Sequence, residues 1–137
     1  MGAFGAAARE AVETAWPQGR VYAPGKVPAS PIYPYVVMYS DDGRDDTVLN
    51  DGTAGTDATR LMPMAVAETE DELDRATAAI KRGLRGVRLA VAGYDTTPTS
   101  LESSGGVVRD PDADGLLSKT LFFTFHTSPT PIPQEIP

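Results

Sequence analysis

Apolar residues recur along the chain with two different periods, and the switches between them mark out the elements. Phe4, Ala7, Ala8, Ala11, Val12, Ala15 and Trp16 follow steps of three and four, the stripe of an amphipathic helix with one core-facing side. Pro17 and Gly19 end it. Val21 and Tyr22 follow, then a stiff connector holding Pro24, Gly25, Pro28, Pro31 and Pro34. Tyr35-Val36-Val37-Met38-Tyr39 is rich in aromatic and β-branched residues and predicts a strand. A polar stretch from Asp41 to Asp57, rich in Gly, Asp and Thr, reads as a loop longer than a hairpin needs, and such loops usually carry function.

The second half repeats the alternation. Leu61 to Val66 predicts a strand with Met62, Met64 and Val66 on one face, and Pro63 points to an edge position or a bulge. Thr69-Glu70-Asp71-Glu72 is a capping box for a helix whose buried stripe is Leu73, Ala76, Ile80 and Leu84. Acidic residues in its first turn and Lys81, Arg82 and Arg85 near its end suit the helix dipole. Gly86 closes it. Val87, Leu89 and Val91 alternate with Arg88, Ala90 and Ala92 as a half-buried strand. Tyr94 to Val108 is looser, with room for one strand around Leu101 or Val107. Leu116 to Thr127 predicts a last strand with Leu121, Phe123 and Phe125 on one side. The expected architecture is α+β: a mostly antiparallel sheet of about four to five strands with two helices packed on one face. Residues 1–128 form a single domain, and 129–137, with Pro129, Pro131, Pro133 and Pro137, an extended Pro-rich C-terminal arm.

Composition narrows the function classes. At 137 residues the chain supports one modest core, and 41% hydrophobic residues fit a globular domain. Twelve basic against nineteen acidic residues give a net charge of -7. Nucleic-acid and anionic-lipid binding both draw on Lys and Arg, so this balance argues against either. It suits a channel through which nucleic acid slides without sticking. The chain has no cysteine, which removes disulfides, thiolate nucleophiles and zinc-thiolate sites and makes cytosolic folding the default. No apolar run approaches the roughly 20 residues that cross a membrane.

Candidate chemistry is sparse. Asp110, Asp112 and Asp114, followed by Gly115, match the opening of a calcium loop, where alternating carboxylates converge on one cation. The twelfth position is Leu121 rather than a bidentate Glu, and a strand follows instead of a helix, so a solvated acidic turn is the better reading. Gly19, Gly25 and Lys26 miss the phosphate-loop spacing, and prolines stand where its helix would begin. Asp41, Asp42, Asp45 and Asp46 have no histidine nearby. His126 is the chain's one histidine; it shares a strand face with Phe122 and Thr124, and no nucleophile-bearing turn accompanies it. Tyr33, Tyr35 and Tyr39 share a face by the period of two, without interleaved basic residues, which favours core or interface packing over base stacking. Catalytic residues and cofactors are expected to be none.

The order of segments carries a resemblance. The first helix leads into Val21-Tyr22 and Gly25-Lys26-Val27-Pro28. Tyr33-Pro34-Tyr35-Val36-Val37-Met38-Tyr39, the acidic loop and the acid-capped helix follow. Arg88-Leu89-Ala90-Val91-Ala92-Gly93 and Glu102-Ser103-Ser104, leading to Arg109-Asp110, complete it. Over residues 5 to 128 this resembles the tail terminator proteins of long-tailed (siphovirus-type) actinobacteriophages, distantly similar to the lambda-type tail terminator. The resemblance implies a virion protein, made in the host cytoplasm, that forms a ring of usually six copies at the head-proximal end of the tail tube. Its partners would be itself, the tail tube protein and the head-tail connector or stopper, with genomic DNA passing through the lumen. Met62-Pro63-Met64 and the tail beyond Ser128 depart from the pattern. Independently, the sheet edges and the Asp41 to Asp57 loop are the expected contact surfaces, with Asp41, Asp42, Arg44, Asp45, Asp46, Asp51 and Asp57 as candidate subunit or lumen contacts. Rival readings are another neck or head-completion protein, a small metal-dependent enzyme using Asp110 to Asp114, and a monomeric adaptor that binds a peptide on a sheet edge.

Overall fold

The structure, a computed structural model, describes residues 3–45, 57–110 and 115–129. In chain order the elements are α1 (Ala3–Ala15), β1 (Val21–Tyr22), β2 (Tyr35–Asp45), β3 (Asp57–Ala67), α2 (Glu70–Leu84), β4 (Tyr94–Thr96), β5 (Ser100–Ser104), β6 (Val108–Asp110) and β7 (Leu116–Pro129).

One seven-stranded sheet holds the molecule together. Its path runs β1-β2-β3-β7, and the far edge of β7 is occupied end to end by β6, β5 and β4. The sheet curls into a half-barrel. β1 runs parallel to β2, and every other strand pairing among the described residues is antiparallel. The α+β class stands, but the sheet is mixed and larger than the four to five strands expected. The additional strands come from Tyr94 to Asp110, where the sequence pattern is loose. Segments of three to five residues are too short for hydrophobic periodicity to register; pairing with β7 orders them.

The helices pack on one face of the sheet. Ala8 and Val12 of α1 and Leu73, Ala76, Ile80 and Leu84 of α2 meet Val36, Met38, Leu61, Ala65, Leu121, Phe123 and Phe125 in one core. Burying a Leu or Phe side chain stabilises by about 1.5–3 kcal/mol, so this cluster is the main source of stability. α2 starts as the sequence predicts: the Glu72 amide donates to Thr69 Oγ1 at 3.2 Å, and the Thr69 amide donates to Glu72 Oε1 at 3.2 Å. These two bonds satisfy amides that the first helical turn leaves without partners. The helices meet at Gly83, where an added Cβ would lie 2.8 Å from Val12 Cα. Any larger residue would push α1 and α2 apart.

Two further expectations are corrected. Pro63 lies at neither an edge nor a bulge, because β3 is central, between β2 and β7. Its pairing with β2 runs unbroken through Met38↔Pro63, whereas the β7 ladder skips from Leu61↔Phe123 to Met64↔Thr120 without a change of register. The ring nitrogen cannot donate, and the sheet omits the rungs around it while the strands stay aligned. Second, Val87 to Val91 alternates as expected, with Leu89 buried and Val87 half-buried, but it forms no strand. Its Val87 and Leu89 carbonyls are taken by the 96–99 segment instead. Thr99 Oγ1 and the Thr99 amide both donate to the Val87 carbonyl, at 2.6 and 2.9 Å, and Thr96 Oγ1 donates to the Leu89 carbonyl at 2.6 Å. Threonine hydroxyls thus replace part of a strand ladder.

Candidate functional site

The side of the sheet turned away from the helices is where this molecule departs from a simple two-layer domain. The alternation that sends Val36, Met38, Leu61, Phe123 and Phe125 into the core sends Tyr35, Val37, Tyr39, Met62, Met64, Phe122, Thr124 and His126 to the opposite face. Val37 is buried and Met62, Met64 and Phe122 are half-buried, although neither described helix covers them. Aromatic rings close the β1 end of this face. Tyr22 packs edge-on against Tyr35 with ring centroids 5.8 Å apart, and Tyr33 lies 5.5 Å from Tyr35. Burial raises the Tyr35 hydroxyl above its usual pKa, and the neighbouring Tyr33, Tyr39 and Tyr22 phenols add to the rise.

A polar clip crosses this face. Arg60 on β3 and Glu102 on β5 reach over β7 to within 3.6 Å of each other, flanking Thr124, the register partner of both Arg60 and Ser100. Both side chains are more than a third exposed, so the pair adds little stability. At the β4 end, the Thr97 amide donates to the His126 carbonyl and the His126 amide to Thr97 Oγ1, each at 2.9 Å. These bonds tie the strand bearing His126 to the segment between β4 and β5.

The predicted contact residues are placed differently from the loop the sequence suggests. Asp41, Asp42, Arg44 and Asp45 belong to β2, and Asp57 opens β3. β2 therefore runs five residues into the stretch expected to be a loop. Asp41 pairs in register with Arg60, the register shifts between Asp41 and Arg44, and Asp45 pairs with Asp57. A polar, glycine-bearing sequence forms strand here because β3, itself anchored on β7, supplies a template. Asp46 and Asp51 lie outside the described residues. Asp110 ends β6; Asp112 and Asp114, like the arm beyond Pro129, lie outside them too. Pro129 itself closes β7 opposite Tyr94, so the strand outruns its predicted end at Thr127. The turn from β6 to β7 closes through a Gly115 amide to Asp110 carbonyl bond of 3.1 Å, with Gly115 at φ 72°, a conformation open to glycine. Among the described residues no group of three or more His, Cys, Asp or Glu side chains could hold a metal ion.

Concavities are shallow. A groove of about 420 Å³ runs along Arg88 to Ala92 and Tyr94 to Thr96; a smaller one, about 220 Å³, lies between α1 and the Val87–Ala90 segment. Small apolar residues line both, with Arg88, Asp95 and Glu10 as the charged members.

Sheet edges are expected contact surfaces, but the residues that line them are not read from the sequence. Val107 and Val108 are 53% and 59% exposed on one side of the sheet, Ile32 and Tyr39 59% and 39% on the other. The signal was the adjacent pair in Gly105-Gly106-Val107-Val108: two β-branched residues with no alternating partner to bury them.

No helix among the described residues is long and apolar enough to cross a membrane. No protein-family model matches the chain, and no curated protein matches it in sequence. The fold is shared with solved structures. A chain from the virion of a native gene transfer agent particle superposes with a TM-score of 0.69 at 16% identity, over 91% of this chain and 94% of that one. A second solved structure, whose name states no function, gives 0.66 at 12% identity over 95% and 94%. At these identities the likeness defines the fold: a two-helix, curled-sheet domain matched over nearly the whole length of both chains.

Proposed function

We propose that this chain is a virion structural protein of a long-tailed phage or phage-like particle, and within that class the tail terminator. Copies form a ring, usually of six, that caps the head-proximal end of the tail tube. The ring stops tube polymerisation and presents a surface to the head-tail connector while DNA passes through its centre. The observation that carries this reading is the near full-length fold likeness to a chain of a gene transfer agent virion. It agrees with the order of segments in the sequence and with a site made of apolar edges and shallow grooves. The acidic residues at the far ends of β2 and β3, among them Asp41, Asp42, Asp45 and Asp57, are lumen or subunit contacts in this reading. Carboxylates there repel DNA phosphates and prevent trapping.

Negative-stain imaging of the purified protein, alone and mixed with tail tubes, tests the role. Rings and capped tubes of fixed length are expected. Rings that attach to heads but leave tubes growing would point to another neck component, and a monomer that never touches tubes would defeat the proposal. The lumen assignment has its own check: replacing Asp41, Asp42, Asp45 and Asp46 with Asn is expected to leave rings intact while slowing DNA passage. Unchanged passage would remove it.

A further inference from the structure

The registers of the sheet place its two exposed apolar edges at the same height. Val108 pairs with Ser118, Ser118 with Val66, and Val66 with Tyr35. One line across the sheet therefore joins Val108 on one edge to Tyr35 at the start of β2, beside β1 and three residues after Ile32. A second line runs from Ser100 through Thr124 and Arg60 to Asp41. Along that line the outer side of β2 is open: β1 pairs only with Val36 and Val37, and among the described residues no strand covers β2 beyond them. Val107, Val108 and Ile32 are each more than half exposed, unusual for large apolar side chains in or beside strand edges that must not aggregate.

Strand direction fits the same pairing. β2, β3, β7 and the β5–β6 row alternate in direction. Rotation about an axis along the strands leaves those directions unchanged. The β5–β6 edge of one copy would then meet the β2 edge of the next running antiparallel to it, which continues the alternation and gives the more stable ladder.

We infer that the partner of each edge is a second copy of this chain, with β5 of one subunit lying along Met38 to Asp41 of the next, past the end of β1, and β6 beside Ile32. This rests on the ring reading above and names the surfaces that close the ring. The contact is head-to-tail, and such contacts produce rings when the rotation closes. A two-fold pairing of either edge with itself would cover the valines or Ile32 but not both; the head-to-tail contact covers both in every copy. Val107 and Val108 pack beside Ile32, and the polar β5 row faces the open backbone of Tyr39 to Asp41.

The absence of cysteine from the chain makes the test clean. Ile32→Cys and Val108→Cys are prepared as separate full-length variants, mixed, and exposed to a short bismaleimide linker; products are read by mass. Cross-links between the two variants in the mixture, and none within either variant alone, are the expected result. Val108→Lys is expected to raise the protein concentration at which rings form by about tenfold or more. Its thermal midpoint as a monomer should match that of the unsubstituted chain, because Val108 is exposed. Rings that form without mixed cross-links, or cross-links within a single variant, would overturn the inference and leave the ring reading standing. Mixed cross-links in rings that do not cap tail tubes would leave the inference standing and overturn the terminator reading. A monomer at every concentration would overturn both.

Discussion

The two faces of the sheet are built from the same strands but held by different means. On one side, two helices shut Phe123, Phe125, Leu61 and Met38 away from water. On the other, a cluster of tyrosines gives partial cover, and Met62, Met64 and Phe122 remain half-exposed. A dry, jointed core tolerates little change. A half-covered face can change composition at small cost to folding, and so is free to be shaped by a partner. The contrast separates the residues that hold the fold from those available for contact.

The sharpest way to break this contrast is to truncate neighbouring phenylalanines. Phe123→Ala should lower unfolding stability by about 3–5 kcal/mol, and Phe122→Ala by about 1 kcal/mol, both measured by urea denaturation. Equal losses would mean that the second face is as closed as the first. A smaller effect is expected at the helix contact. Alanine at Gly83 would gain up to about 1 kcal/mol of helix propensity, but its Cβ would strike Val12 backbone. A net loss of about 1–2 kcal/mol should follow, because the helices must separate; a gain would show that they slide freely.

At the edge of the helical layer, Thr69→Ala removes one half of the capping box and should cost about 1 kcal/mol, seen as a lower thermal midpoint with the denaturant slope unchanged. The smallest effect belongs to the tyrosine cluster. Because the folded state holds the Tyr35 proton more tightly than the unfolded state does, its stabilising contribution is complete below the unfolded pKa of about 10. It is lost as pH rises through the folded value. Stability measured from pH 9 upward should fall, and Tyr35→Phe should flatten the fall. An unchanged slope would mean that the ring is not held at this face.

What could be read from the sequence divides along the same lines. Both helices, the three long strands and the core stripe of α2 were legible, because local period, capping and burial agree there. Three things were not. Pro63 forbids one hydrogen bond, and only the sheet order reveals that β3 accommodates this in its centre. Val87 to Val91 alternates like a strand but bonds to threonine hydroxyls from a segment about ten residues on, a choice made by tertiary packing. β4, β5 and β6 owe their form to β7 rather than to themselves. For the candidate site, the shared face of the tyrosines and of Met62, Met64 and Val66 was legible from alternation. The extension of β2 through Asp41 to Asp45 was not, since strand propensity is low there and pairing overrides it.

The place of β7 has a consequence for how the molecule comes into being. Its fourteen residues hold β3 on one edge and β4, β5 and β6 on the other, yet they follow all of these in the chain. While the ribosome is still synthesising the earlier segments, β3 has an open edge and the three short strands have no template. The sheet can close only after Leu116 to Pro129 has emerged, and its formation then needs contacts between residues far apart in sequence, which are slow to make. The β5–β6 edge proposed to join neighbouring copies does not exist before that moment. Synthesis itself therefore orders the events: no nascent chain can recruit a neighbour through that edge until its own fold is complete.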